Sequence, residues 1–240
     1  VADPKFVPVP INQLLATDYL HSRAQLISAQ RAMPVVVAGD LASPLAARFT
    51  TQGSPELEST THLSIVDQLG NAVSMTTSIE TAFGSRLMVG GFLLNNQLTD
   101  FSFRPRDVNQ ERVANRVEGG KRPRSSMSPM IVFDQNNQPI LIIGSPGGKR
   151  IIPYVAGFIY EVLALGRAPE AALQRPHITS IGRGVEVEQG TSASLIDGLA
   201  TLGHKPQVKY QTSGLHLIYR SQGQWLGLAD PRREGTAVGE

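Results

Sequence analysis

The sequence predicts a mixed α/β fold of the α+β kind, with helices layered on largely antiparallel sheet. Three observations lead there. Two strand–turn–strand units, at 61–78 and 130–143, have polar turns too short for a crossover, so their strands must run antiparallel. A strongly apolar helical stretch over 151–165 follows the second hairpin directly. The overall order is strands, then helices, then strands, and strict β-α-β alternation would instead point to a doubly wound parallel sheet.

Taken in order, residues 1–12 carry Pro4, Pro8 and Pro10 and read as extended loop. A helix is expected over 18–31, with Asp18 as N-cap and Tyr19, Leu20, Ala24, Leu26 and Ile27 on its apolar face. Residues 34–59, punctuated by Pro34, Gly39, Pro44, Gly53 and Pro55, read as a long surface segment. A loop of that length is uncommon inside a compact domain, so it marks a boundary or a processing linker. Leu63-Ser64-Ile65-Val66-Asp67 and Ala72-Val73-Ser74-Met75 form the first hairpin around Gly70-Asn71. Phe92-Leu93-Leu94 is a short apolar run, and 102–124 is a polar loop containing Gly and Arg. The second hairpin pairs Met130-Ile131-Val132-Phe133 with Ile140-Leu141-Ile142-Ile143. Gly144-Ser145-Pro146-Gly147-Gly148 then opens the apolar helix. A further helix starts near Pro169 and ends before Pro176, and another covers 193–202, stopped by Gly203. Strands at 207–210, 215–219 and 225–228 are expected to finish the sheet, and there is no internal repeat.

Composition narrows the function classes. The chain has 240 residues, 41% hydrophobic and 18% charged, which suffices for a sizeable core. A net charge of +2, and basic runs as short as Lys121-Arg122-Pro123-Arg124 and Lys149-Arg150, give no footprint for nucleic acid. No apolar run is long enough for a membrane span. Without cysteine there are no disulfides, thiolate metal sites or cysteine nucleophiles, and an oxidising compartment remains compatible. His21, His62, His177, His204 and His216 lack metal-ligand spacing and read as surface or core residues, so no metal or cofactor is expected. Val1-Ala2-Asp3-Pro4-Lys5 shows neither an initiator Met nor a signal pattern, so the chain reads as a piece of something longer.

Individual segments allow more than one use. The Gly144–Gly148 turn follows an apolar strand and opens a helix, so two backbone N–H groups can converge on an anion or an oxyanion. It lacks the spacing of a dinucleotide or P-loop motif, and from local sequence alone a plain strand-to-helix turn with no ligand is the better account. Ser125-Ser126-Met127-Ser128 can hold a carboxylate or can be ordinary loop. Asp100, near Asn95-Asn96-Gln97, can pair with a ligand ammonium or cap a turn. No G-x-S-x-G elbow supports a serine triad.

The order of these segments is more specific than any one of them. Thr60-Thr61-His62-Leu63-Ser64-Ile65-Val66-Asp67 is followed by Gly70-Asn71-Ala72-Val73-Ser74, Phe83-Gly84, Leu94-Asn95-Asn96-Gln97, Asp100-Phe101, Lys121-Arg122-Pro123, Ser125-Ser126-Met127-Ser128-Pro129, Gly144-Ser145-Pro146-Gly147-Gly148 and Asp230-Pro231-Arg232. The series closely resembles the γ-glutamyltranspeptidase family from Thr60 almost to the C-terminus, and Asp3-Pro4-Lys5-Phe6-Val7-Pro8 resembles the end of that family's large subunit.

The resemblance implies an N-terminal-nucleophile hydrolase with an αββα sandwich. It implies cleavage at Ser59–Thr60, with 1–59 the end of the large subunit and its processing linker, and 60–240 the small catalytic subunit. Thr60 would be the nucleophile and Ser78 its hydroxyl partner, at a position where a second Thr is usual. Gly147 and Gly148 would form the oxyanion hole. Ser125 and Ser126 would hold the substrate α-carboxylate and Asp100 the α-ammonium, with Gln97 nearby. Glu80, where many members carry Asn, would also face the ammonium. Arg124 stands where an apolar residue is usual, and the 101–124 loop departs from the lid-bearing pattern. The implied partners are a γ-glutamyl substrate such as glutathione, an acceptor amino acid, peptide or water, and the remainder of the large subunit. The implied location is periplasmic or extracellular. An acylase for glutaryl-type amides and an uncut, inactive fragment are the alternatives. Thr60→Ala is expected to abolish both cleavage and turnover, and Ser126→Ala mainly to weaken substrate binding; a Thr60→Ala chain still split at that bond in a mass spectrum would refute self-processing by Thr60.

Overall fold

The structure is a computed structural model that describes residues 2–41, 59–181 and 184–239. Most of the expected processing linker, residues 42–58, lies outside the described residues. The chain groups into two compact units: Val1–Pro55 with Asn96–Ser125 and Asp197–Lys205, and Glu56–Asn95 with Ser126–Ile196 and Pro206–Glu240.

The first unit is mostly irregular backbone held by side chains. It opens with two short helices, α1 (Ile11–Leu14) and α2 (Thr17–Ala24). The expected loop over 1–12 thus gives way to helix at Ile11, where Pro10 at the N-cap is compatible with a helix start. The helix expected over 18–31 ends seven residues early, at Ala24. The Ser28 hydroxyl accepts from the Gln30 N–H, a local bond that competes with continued helix, and α2 buries no side chain that would repay extension. Further on, a 3-10 turn spans Gln97–Asp100. The 101–124 loop is tied by its own polar groups. Lys121, buried, donates to the Ala114 carbonyl (2.8 Å) and to Glu118 (3.1 Å). Asp3 accepts from the Lys5 and Arg122 N–H groups, both at 3.0 Å, and the Arg122 bond chiefly holds its carboxyl below the usual range.

The second unit contains the ordered sheets. β1 (Thr60–Val66) and β2 (Ala72–Ser78) form an antiparallel hairpin in which Thr60 stands opposite Ser78. Asp67 fixes its turn by accepting from the backbone of Leu69 and Asn71 and from the Asn71 amide. A small hairpin follows, β3 (Met88–Val89) with β4 (Phe92–Leu93). β5 (Met130–Phe133) and β6 (Pro139–Gly144) pair antiparallel around a turn organised in the same way by Asp134. After β6 come α3 (Ile151–Ile159), which passes into a π-helical turn at Tyr160–Ala164, and α4 (Pro169–Leu173). The remaining elements are β7 (Ile178–Thr179), β8 (Val185–Glu188), α5 (Ala193–Thr201), whose residues from Asp197 on group with the first unit, β9 (Pro206–Lys209), β10 (His216–Ser221) and β11 (Gln224–Ala229).

The main sheet has the order β11-β10-β6-β5 and is antiparallel throughout. One expectation fails here: β9 does not finish this sheet but joins a separate one of order β7-β8-β9. α5 intervenes between β8 and β9, and a helical crossover makes that pair parallel. One face of the main sheet packs on helices. Leu141, Ile143, Leu215, Leu217 and Tyr219 cluster with Ile151, Tyr154, Val155 and Phe158 of α3 and with Leu173 of α4. The β1–β2 hairpin lies against β6: Ser64 Oγ approaches the Ile142 carbonyl (3.3 Å) and Ser74 Oγ donates to the Ile143 carbonyl (3.0 Å).

The closest approach is at Gly144, where a Cβ would stand 2.2 Å from the His62 ring. Gly144→Ala is therefore expected to destabilise this unit by about 1–3 kcal/mol, the usual range for overpacking; equilibrium denaturation that shows no loss would mean the hairpin can shift away from β6.

Candidate active site

Thr60 is the first residue of β1 and is buried. Its carbonyl accepts from Arg233 Nη1 at 3.2 Å, so the C-terminal segment grips the backbone of this residue. The adjacent Ser59 carbonyl accepts from the Ser78 hydroxyl at 2.9 Å. Ser78 in turn accepts the Glu80 N–H at 3.0 Å. Glu80 is buried and has φ 76°, in the left-handed region that a non-glycine residue enters at a cost of about 1–3 kcal/mol. Strain of that size persists only where the surroundings over-determine it. A cavity of about 1050 Å³ opens here, and Ser59, Thr60, Ser78, Pro146, His216 and Arg233 are among the residues that line it.

His62, two residues along β1, anchors the strand. Ser64 Oγ lies 3.3 Å from two carbonyls, those of Ile142 and His216, so its proton is directed to them. It must then accept from His62 Nε2 (3.1 Å), which leaves His62 Nδ1 to accept from Thr76 Oγ1 (2.7 Å). Both ring nitrogens are thus satisfied in the neutral form. Burial, and secondarily the charge of His216, depresses the His62 pKa to about 4. His62 is therefore a core histidine.

The glycine turn is braced from below and behind. Gly147 has φ 129° and Gly148 φ 57°, and a Cβ on Gly147 would lie 2.7 Å from the Tyr154 ring. That ring sits 4.4 Å from the His177 ring, centroid to centroid. His177 Nε2 donates to Ser213 Oγ (2.7 Å), because the Ser213 proton goes to Asp230 Oδ2 (2.5 Å). Ser213 is fully buried, so this Ser-His-Asp contact holds structure together and offers no nucleophile to solvent. Arg232 closes the network on Asp230 (3.1 Å) and Glu188 (2.5 Å). The Gly214 N–H reaches Ser145 Oγ at 3.2 Å. The turn that begins the helix is thus fixed by the same segments that bring Arg233 to Thr60.

The expected site residues divide between the units. Thr60, Ser78, Glu80, Ser126, Gly147 and Gly148 belong to the second, and Gln97, Asp100 and Ser125 to the first. Within the first, Asn115 bonds the Asp100 carbonyl and the Arg124 N–H. Sequence reasoning assigned no role to Arg233, His62 or Asn115. Arg233 adjoins a recognised motif; the other two carry no local signal of their bonding. Among the described residues no group of three or more His, Asp or Glu could hold a metal ion, and no helix is long and apolar enough to cross a membrane.

The profile of the gamma-glutamyltranspeptidase family matches residues 1–240. The chain belongs to that family. It is 36% identical to the Bacillus subtilis glutathione hydrolase proenzyme over 252 aligned positions, covering 99% of this chain and 41% of that protein. The chain thus spans well under half the length of this relative. A mutant Helicobacter pylori gamma-glutamyltranspeptidase superposes with a TM-score of 0.63 at 35% identity, over 72% of this chain and 100% of that one. A cephalosporin acylase from Bacillus halodurans gives a TM-score of 0.76 at 26% identity, over 100% of this chain and 41% of that one. These neighbours agree with the mixed α/β, mostly antiparallel architecture and with the N-terminal-nucleophile hydrolase fold.

The Ser78 hydroxyl points at the Ser59 carbonyl, the one that the sequence resemblance expects to be attacked in self-cleavage. Ser78→Ala is expected to slow appearance of the two fragments by about 10²-fold, the scale of a lost oxyanion donor; an unchanged rate on a denaturing gel would remove Ser78 from that step.

Proposed function

We propose that this chain is the C-terminal part of a γ-glutamyl transferase and hydrolase precursor that cuts itself at Ser59–Thr60. The observation that carries the reading is the placement of that bond: Thr60 is buried at the first position of β1, and the Ser59 carbonyl already accepts from a hydroxyl. The proenzyme names of the relatives support it. So does the H. pylori chain, which is matched in full by 72% of this one, close to the share that residues 60–240 represent.

In the cut, Thr60 Oγ bonds to the Ser59 carbonyl carbon as the peptide C–N bond breaks, and the nitrogen takes up the hydroxyl proton. Water then hydrolyses the resulting ester, leaving a Ser59 carboxylate and a free Thr60 hydroxyl and amine. The same residue now holds nucleophile and base, since a free α-amino group has a pKa of about 8 and an amide has no basic lone pair. In turnover Thr60 Oγ attacks the γ-carbonyl, the amine half leaves with a proton, and the acyl ester passes to water or to an acceptor amine. The N–H groups of Gly147 and Gly148 stabilise the oxyanion. Asp100 binds the α-ammonium and Ser125 and Ser126 the α-carboxylate, with Gln97 and Glu80 alongside. The remainder of the large subunit completes the pocket.

The likeness to cephalosporin acylase over the whole chain supports a second reading, in which glutaryl-type amides are the substrates. The full-length precursor should yield a fragment beginning at Thr60 and should prefer γ-glutamyl-p-nitroanilide to glutaryl-p-nitroanilide. A marked preference for the glutaryl amide establishes the acylase reading instead, and a single uncut species without turnover refutes both.

A further inference from the structure

The segments that carry Asp100 and Ser125 are distant in sequence, with a long irregular loop between them. A loop of this kind does not by itself hold two recognition groups at a fixed spacing. One buried side chain bridges them. Asn115 is only 4% exposed. Its Nδ2 donates to the Asp100 carbonyl at 2.7 Å, and its Oδ1 accepts from the Arg124 N–H at 3.0 Å. Its own carbonyl accepts the Ser102 N–H at 2.8 Å. Both ends of the amide are therefore committed to backbone groups, one in the residue assigned to the substrate ammonium and one immediately before the serines assigned to the carboxylate.

The residues around it make this a fixed point. Lys121 binds the Ala114 carbonyl next door, and Asp3 holds the Arg122 N–H two residues before Arg124. Only a primary amide offers a donor and an acceptor on one short planar group, so neither Asp nor Leu, though similar in size, reproduces both bonds.

We propose that Asn115 is the positioning residue that sets the distance between the ammonium-binding and carboxylate-binding groups, and so selects for an α-amino acid head on the substrate. It touches no reacting atom. The inference rests on the γ-glutamyl reading given above and goes beyond it by assigning the spacing of the two recognition groups to a residue that contacts neither charge of the substrate.

The test measures Asn115→Ala and Asn115→Asp in the full-length precursor, with completed cleavage at Ser59–Thr60 on a denaturing gel as the check of folding. Asn115→Ala should raise KM for γ-glutamyl-p-nitroanilide, and the inhibition constant of L-glutamate, by about tenfold each, while kcat stays within about threefold. Asn115→Asp keeps the acceptor for Arg124 and should give a smaller rise in both. A fall in kcat with KM and the L-glutamate constant unchanged, or no change in any of them, overturns the proposal. Loss of cleavage in both variants also overturns it, because Asn115 would then support the fold at large. If the unsubstituted enzyme cleaves and yet ignores γ-glutamyl-p-nitroanilide, the γ-glutamyl reading fails and this inference falls with it.

Discussion

The second unit depends on the face-to-face contact between the β1–β2 hairpin and β6. The His62 ring packs closely on Gly144, and Ser64 and Ser74 bond the carbonyls of Ile142 and Ile143. Polar side chains are expensive inside a sandwich unless every donor and acceptor is met. Here they are met, and that satisfaction gives the contact its register. Apolar side chains alone would let the hairpin slide along β6, whereas hydroxyl–carbonyl and imidazole–hydroxyl pairs exist at one offset only. Because β6 runs straight into the glycine turn, fixing the hairpin on β6 also fixes Thr60 relative to Gly147 and Gly148.

A second brace reaches the same two places from the other end of the chain. Ser213, Asp230 and Arg232 link the support beneath Gly147 to the tail that holds the Thr60 carbonyl. Depressed basicity of His177, to about 4 through burial and then the charge of Arg232, keeps its ring neutral beside Tyr154. Like His62, it contributes stability that is complete above about pH 6.5 and is lost as the pH falls through about 4.

Much of this was legible in the sequence. The two long hairpins were, because Asp67-Gln68-Leu69-Gly70-Asn71 and Asp134 with its followers spell out side-chain-to-backbone turns between apolar runs. The helix after the glycine turn was, because its apolar content is high enough to require burial on the sheet. Strands β7 and β8 were missed: Ile178–Thr179 is too short for any alternation, and Val185–Glu188 alternates with charged residues that pair elsewhere. The strand at Pro206–Lys209 was found but joined to the wrong sheet, since pairing partners follow from tertiary packing and not from a local pattern. Family resemblance points to Thr60 and the glycine turn as the place to look for chemistry. It could not name the side chains that hold those groups still, because Asn115 or Arg233 acts through a bond to a backbone atom whose position only the fold determines.

The position of Ser59–Thr60 relative to the β1 ladder has one more consequence. The ladder begins on the far side of that bond, with Thr60 already opposite Ser78 and its carbonyl already in the grip of Arg233. Severing the bond would remove no strand pairing. A freshly created chain end usually frays, yet the end that the proposed cut would create is already stitched into a sheet. Its amine would arise on a buried residue whose carbonyl is already held, so the proton acceptor would stand beside the hydroxyl without any refolding step.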